Sequence, residues 1–299
     1  NLDVIAMDVP DLSQVKSLVY MFRGCSSLQG TIAMNSWNVS NVVDMGATFS
    51  DAELFNQDLS NWDVSNVTSL NGTFSGAKAF NQNLNNWDVS NVTNLGVVFG
   101  YASSFDQPLN NWDVSNVVDF HAAFTATPFN QPLNNWDTSS ANTMGGMFSE
   151  TDNFNQDISN WNVASVEYFW TMFQNASSFN QDISNWDTSN AIEMSGMFEN
   201  ATSFNQDISN WDVSNVTSMH AMFNRAESFN QNIENWNVSN VSSMTGMFWG
   251  TSKFNQPLNG WDVSNVNNMS YMFNGALEFN QDLSGWDTSN VTEMKAMFY

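Results

Sequence analysis

Residues Phe204–Phe223 read FNQDISNWDVSNVTSMHAMF, and 25 residues earlier the stretch from Phe179 reads FNQDISNWDTSNAIEMSGMF. Copies this similar mark a tandem array, in which a unit too small to bury its own apolar face uses the next unit as a wall. Tryptophan times the array: Trp37, Trp62, Trp87, Trp112, Trp136, Trp161, Trp186, Trp211, Trp236, Trp261 and Trp286 are spaced by 25, with a single step of 24. The short step lies between Phe124 and Phe129, which enclose TATP where Phe74 and Phe80 enclose SGAKA. A surface loop is expected there, since a deletion inside a core element would displace every later side chain. Upstream, Asp11–Phe22 (DLSQVKSLVYMF) matches DVSNVTSMHAMF, with Pro10 in the tryptophan slot. The organisation expected is a single solenoid over 1–299, with 1–36 a degraded first unit and 37–299 regular repeats that continue in mid-unit up to Tyr299.

Fixed and free slots separate by chemistry. An aliphatic follows each FNQ glutamine by two residues, from Leu59 and Leu84 through Ile183 and Ile208 to Leu283, which marks a core position. Another slot holds His121, Trp170, Ser195, His220, Thr245 and Lys295, so it faces solvent. In SNVTSMHAMF the apolar Val216, Met219, Met222 and Phe223 fall at steps of three and four, which predicts a short helix with Ser214 as its N-cap. NQDISNW reads as a very short strand ending in a bend before the tryptophan. The fold class expected is therefore α/β: a right-handed, leucine-rich-repeat-like solenoid of about twelve coils, each a short parallel strand plus a short helical turn. Stacking at about 4.8 Å per coil turns each fixed residue into a row, and Asn and Gln rows can pair amides and satisfy backbone groups at bends.

Composition removes several classes. Six Lys and Arg against 30 Asp and Glu give a formal charge of −24, which argues against nucleic acid. With 42% hydrophobic and 12% charged residues the chain can bury a core, and no apolar run is long enough for a membrane span. The single Cys25 excludes an internal disulfide framework.

FNQDISNWDTSN followed by MSGMF resembles the BspA-like leucine-rich-repeat surface proteins, in the 25-residue, tryptophan-bearing version found in mycoplasma lipoproteins. The resemblance covers about Asp11 to Phe298 and implies a secreted or surface-displayed array, with adhesion to host or matrix components in some relatives. It carries over no binding residue. Alanine stands at Ala52, Ala77, Ala176, Ala201, Ala226 and Ala276 where the cysteine-bearing version has cysteine, and only Cys25 keeps it.

Three sets of candidate site residues emerge. The carboxylates after tryptophan, Asp63, Asp88, Asp113, Asp187 and Asp212, form a row that is either solvated and turn-capping or bridged by calcium, the one cofactor considered. Trp170, Trp249, Tyr101, Tyr168 and Tyr271 lie in or near variable slots and are candidates for a recognition surface, since amphipathic rings suit interfaces and sugar stacking. Asn66, Asn91, Asn215, Asn240 and Asn290 recur as N-glycosylation triplets in one slot. His121 and His220 share a free surface slot, no phosphate loop or metal-ligand cluster is visible, and methionines such as Met194 and Met219 read as core, so no enzyme is expected. The function expected is adhesion or matrix contact by an extracellular or surface repeat protein, with a host, matrix or glycan ligand. The alternative is a subunit that stacks head to tail with its own copies into an extracellular filament, with or without glycosylation.

Overall fold

The computed structural model describes residue 4 and residues 7–299, in two compact units, one ending at Ala141 and one spanning Asn142–Tyr299. Within each unit every repeat makes one coil, and successive coils pair in parallel through isolated bridges. In the first unit these connect Ser17, Asp44, Ser69, Asn94 and Asp119; in the second they connect Thr143, Tyr168, Glu193, Ser218, Ser243, Asn268 and Glu293. The repeat solenoid is thus present. The helix and strand assignments are corrected: the parallel pairing falls in the SNVTSMHAMF segment, and among the described residues the one regular helix is the 3-10 turn Ile32–Ser36.

Backbone hydrogen bonding shows why SNVTSMHAMF does not wind into a helix. Alternate amides point to the following coil: Met219 N–H donates to Ser243 O at 3.1 Å, Ala221 to Thr245 O at 2.9 Å and Phe223 to Met247 O at 2.9 Å. The intervening amides close four-residue turns, Met222 on Met219 O, Asn224 on Ala221 O and Ala226 on Phe223 O. Two residues per coil must then be left-handed, here Ala221 at φ 53° and Arg225 at φ 54°. Glycine takes these slots at Gly72 and Gly76, and at Gly246 and Gly250, because it alone pays no steric cost there. A chain of four-residue turns returns a side chain inward every three or four residues, so its apolar pattern imitates a helix.

The interior is a set of aromatic columns. Phe154, Phe179, Phe204, Phe229 and Phe254 stack 5.9–6.1 Å apart, and Phe148, Phe173, Phe198, Phe223 and Phe248 stack at 5.7–5.9 Å. Within a coil the two columns touch, as at Phe198 and Phe204, 3.9 Å apart. The indoles point inward: Trp211 is 3% exposed, and its Nε1–H donates to Ile183 O of the preceding coil at 3.1 Å. Met194, Met197, Met219 and Met222 are fully buried among them. Burying side chains of this size contributes roughly 1.5–3 kcal/mol each, which no isolated coil could realise.

Polar rows seal the bends as the repeat pattern predicts. Asn205 N–H and Gln206 Nε2 both donate to the Asn180 side chain, at 2.9 and 3.0 Å, and Gln231 repeats the contact on Asn205. The degraded first unit folds as a coil: Asp11 Oδ1 accepts from Ser13 N–H at 2.9 Å, and Ser17 pairs with Asp44. At the short step Thr127 sits in the buried alanine slot, with its Oγ1 on Phe124 O at 2.7 Å. The deletion falls at Pro128, where the exposed Ser103 and Ser104 stand one coil earlier. Only this link of the TATP segment is a surface loop, since Thr125 and Thr127 are buried.

Candidate functional site

The bridges and turns of the second unit build an outer face whose slots are free to vary. One row on it holds Gly145, Trp170, Ser195, His220 and Thr245, one residue per coil, and none of the last four is buried. Trp170 lies against Gly145: a β-carbon there would sit 2.4 Å from Trp170 Cε2 and 2.6 Å from Nε1, so only glycine lets the indole lie down on that side. Beyond the ring the small Ser195 and Gly196 leave an open groove of about 490 Å³, lined also by His220 and Ala221. Its polar walls are Glu193, from the bridge row, and Glu199.

Both carboxylates are held in place by uncharged donors. Glu193 Oε1 accepts from Ser195 N–H at 2.7 Å. Glu199 accepts from Gln174 Nε2 at 2.6 Å and from Asn224 Nδ2 at 3.2 Å, one on each oxygen. Ser195 Oγ is paired with Ser218 Oγ at 2.8 Å. Fixed acceptors of this kind meet a ligand with little reorganisation. Sequence reasoning found Trp170 but not Glu193, Glu199 or Gly145: the glutamates are isolated choices in variable slots, and the glycine, which also stands in that slot at Gly46 and Gly96, gives no sign of the ring beside it. Asn224 Oδ1 is buried without a hydrogen-bond partner.

The other recognition candidates separate. Trp249 and Tyr271 stack 5.4 Å apart on the outer face, with Arg225 5.8 Å from the Trp249 ring centroid and Lys295 Nζ 5.4 Å from that of Tyr271. Tyr168 occupies the bridge position between Thr143 and Glu193. Tyr101 belongs to the first unit, is 55% exposed, and is left-handed at φ 63°.

The carboxylate row caps turns. Asp63, Asp88 and Asp113 each accept on Oδ1 from the amide and the hydroxyl of the serine two residues on, the hydroxyl at 2.6 Å. Asp187 and Asp212 accept from Ser189 N–H at 3.1 Å and Ser214 N–H at 2.9 Å. Ser214, expected as a helix cap, is therefore the donor, and the aspartate is the cap. The Ser90 hydroxyl, and then its amide, holds the Asp88 carboxyl below the usual range, and Ser189 does the same to Asp187. Asn162 and Asn237 interrupt the row but accept the same bond, from Ala164 N–H at 3.1 Å and Ser239 N–H at 3.2 Å, so a neutral amide oxygen also closes the turn. Among the described residues no group of three or more His, Cys, Asp or Glu is placed to hold a metal ion, and no helix is long and apolar enough to cross a membrane.

The acceptor asparagines also have a structural task. Asn66, Asn91, Asn215, Asn240 and Asn290 are exposed, and each donates Nδ2 to a serine carbonyl of the preceding coil at 2.6–2.8 Å. A glycan on that nitrogen would leave one proton for this bond.

Among solved structures, the chain is similar to a leucine-rich cell surface protein from Faecalibacterium prausnitzii, with 13% identity over 88% of this chain and 74% of that one and a TM-score of 0.49. It is also similar to the TLR13–ssRNA13 complex, with 8% identity over 83% of this chain and 49% of that one and a TM-score of 0.24. No curated protein sequence matches. One family does match, over residues 4–112, 95–211 and 194–299, so that nearly every coil is covered. The chain belongs to the family described as Mycoplasma protein of unknown function, DUF285.

Proposed function

We propose that this chain is a non-enzymatic repeat protein of the cell surface or extracellular space, which makes adhesive contact with a host, matrix or glycan ligand through the outer face of its second unit. The observation that carries the reading is the groove beside Trp170, where an indole and two fixed carboxylates border a floor that includes the small Ser195, Gly196 and Ala221. Such a combination of apolar wall and few placed polar groups is what ligand sites share. The repeat framework supports the reading, because its inward slots are committed to packing while its outward slots are free.

The test is binding of the purified chain to immobilised matrix proteins and glycans, wild type against Trp170→Ala, with Tyr101→Ala as the control in the first unit. Loss of binding in Trp170→Ala alone is expected; equal binding by all three refutes the groove as the contact site. The competing reading, a subunit stacking head to tail into a filament, requires particles that lengthen with concentration in sedimentation velocity. A constant monomer excludes it.

A further inference from the structure

We infer that the groove beside Trp170 is a site for an ammonium group, as carried by a lysine side chain or an amino sugar. This deepens the adhesive reading above and rests on it. Three features favour a cation. The first is the aromatic wall: Trp170 borders the groove and is held against Gly145 on the opposite side, so it presents a ring supported from behind. The face of an indole attracts a cation through its quadrupole.

The second is the state of the carboxylates. The donors recorded for Glu199 are the side-chain amides of Gln174 and Asn224, and for Glu193 the Ser195 amide. Amides fix a carboxylate without cancelling its charge, whereas an arginine or lysine would do both. Among the described residues no Lys or Arg lines the groove, and its one basic side chain is the imidazole of His220. Two placed negative charges therefore border one apolar wall, a pair that repels anions and is completed by a cation.

The third is the field of the whole chain. Its formal charge of −24 attracts cations toward every outer surface and raises their encounter rate, in a manner that salt weakens. A neutral sugar would gain from neither charge nor field. Its hydroxyls would still find acceptors in Glu193 and Glu199, so comparison of charged with neutral probes is the deciding measurement. The geometry of about 490 Å³ admits a side-chain terminus or a single sugar ring.

The experiment is titration calorimetry on the full chain at low salt with four probes: Nα-acetyl-lysine methylamide, its uncharged norleucine counterpart, methyl glucosaminide and methyl glucoside. Each ammonium probe is expected to bind at least ten times more tightly than its neutral partner, and to weaken as sodium chloride is raised. Which ammonium probe binds better identifies the source of the group. Trp170→Ala and Glu193→Gln should each lose about tenfold or more, while Asp207→Asn, which removes the same charge elsewhere and keeps an oxygen for the Ser209 amide, should change binding little. Thermal melts of all variants show that they are folded. Equal affinity for neutral and charged probes, with the same dependence on Trp170, overturns the ammonium assignment and leaves the groove as a contact site. Absence of binding by any probe overturns it as well. The adhesion assay with Trp170→Ala then decides the groove separately.

Discussion

The aspartate row permits a test that separates a turn-capping role from a charge-dependent one. Asp63, Asp88, Asp113, Asp187 and Asp212 each accept a serine amide, as at 2.9 Å in Asp212, and asparagine makes the same contact at Asn162 and Asn237. Replacing all five by asparagine keeps an oxygen in place and removes five negative charges from rows where neighbours repel. Replacing all five by alanine removes both. A net hydrogen bond contributes about 0.5–1.5 kcal/mol, and the serines here are partly open to water, so the lower half of that range applies. The five amide bonds alone, in separate coils, give about 2.5–5 kcal/mol between the alanine and asparagine sets, if they add. Urea denaturation followed by far-ultraviolet circular dichroism measures the difference, with and without calcium or chelator. The asparagine set should match wild type to within about 1 kcal/mol, and calcium should not shift any curve. Equal losses in the two sets would refute the capping argument, since the charge itself would then be needed. A calcium-dependent gain confined to wild type would restore the bridging alternative.

Further outcomes follow from the same geometry. Trp211→Phe keeps the ring in its column but removes the donor to Ile183 O, and should destabilise by about 1–3 kcal/mol in the same denaturation assay. A loss no greater than that of an exposed substitution would contradict the indole's role as a tie between coils. Gly145→Ala should displace the Trp170 ring, seen as a changed indole Nε1–H resonance, and should weaken any ligand dependent on that ring without unfolding the chain. The pH dependence has a defined sign. Serine hydrogen bonds hold the carboxyls of Asp88, Asp137, Asp157, Asp187 and Asp207 below their ordinary value. Depressed folded values mean that this stability is fully present above the unfolded value, near pH 4, and is lost as pH falls through the folded values. Thermal melts from pH 7 to pH 2 should therefore drop mainly below pH 4, and a variant with asparagine at Asp88, Asp137, Asp157, Asp187 and Asp207 should drop less.

Much of the fold was legible because stacking makes every inward slot a column. Phe204, Gln206, Ile208 and Trp211 repeat with their period, and each proves to be a packing or bend-sealing residue. The local conformation was misread for a physical reason. A helix and a chain of four-residue turns return side chains to one side at nearly the same spacing, so Val216, Met219, Met222 and Phe223 fit both. The discriminating signal was the glycine that recurs at Gly72, Gly146, Gly196 and Gly246. A left-handed residue in the third position of a turn favours glycine, whereas glycine inside a helix only weakens it.

The site was harder to read because function here occupies what the repeat leaves unspecified. Trp170 stood out as a large ring in a free slot, but its significance depends on Gly145 one coil before it and on Glu193 and Glu199 in two other rows. In sequence these residues are separated by 25, 23 and 29 positions from Trp170, yet in space the two glutamates border one groove with the ring and Gly145 lies against it. No single slot carries that message, since each of the four residue types is acceptable wherever it stands. The period converts sequence distance into lateral position, so an array of this kind is best searched by laying its coils side by side and looking for neighbours that break the pattern together. By that criterion a second place is the stack of Trp249 on Tyr271, with Arg225 and Lys295 at its ends. There the cations already belong to the protein and meet the rings, whereas beside Trp170 the ring and the carboxylates are present and, among the described residues, no Lys or Arg lines the groove.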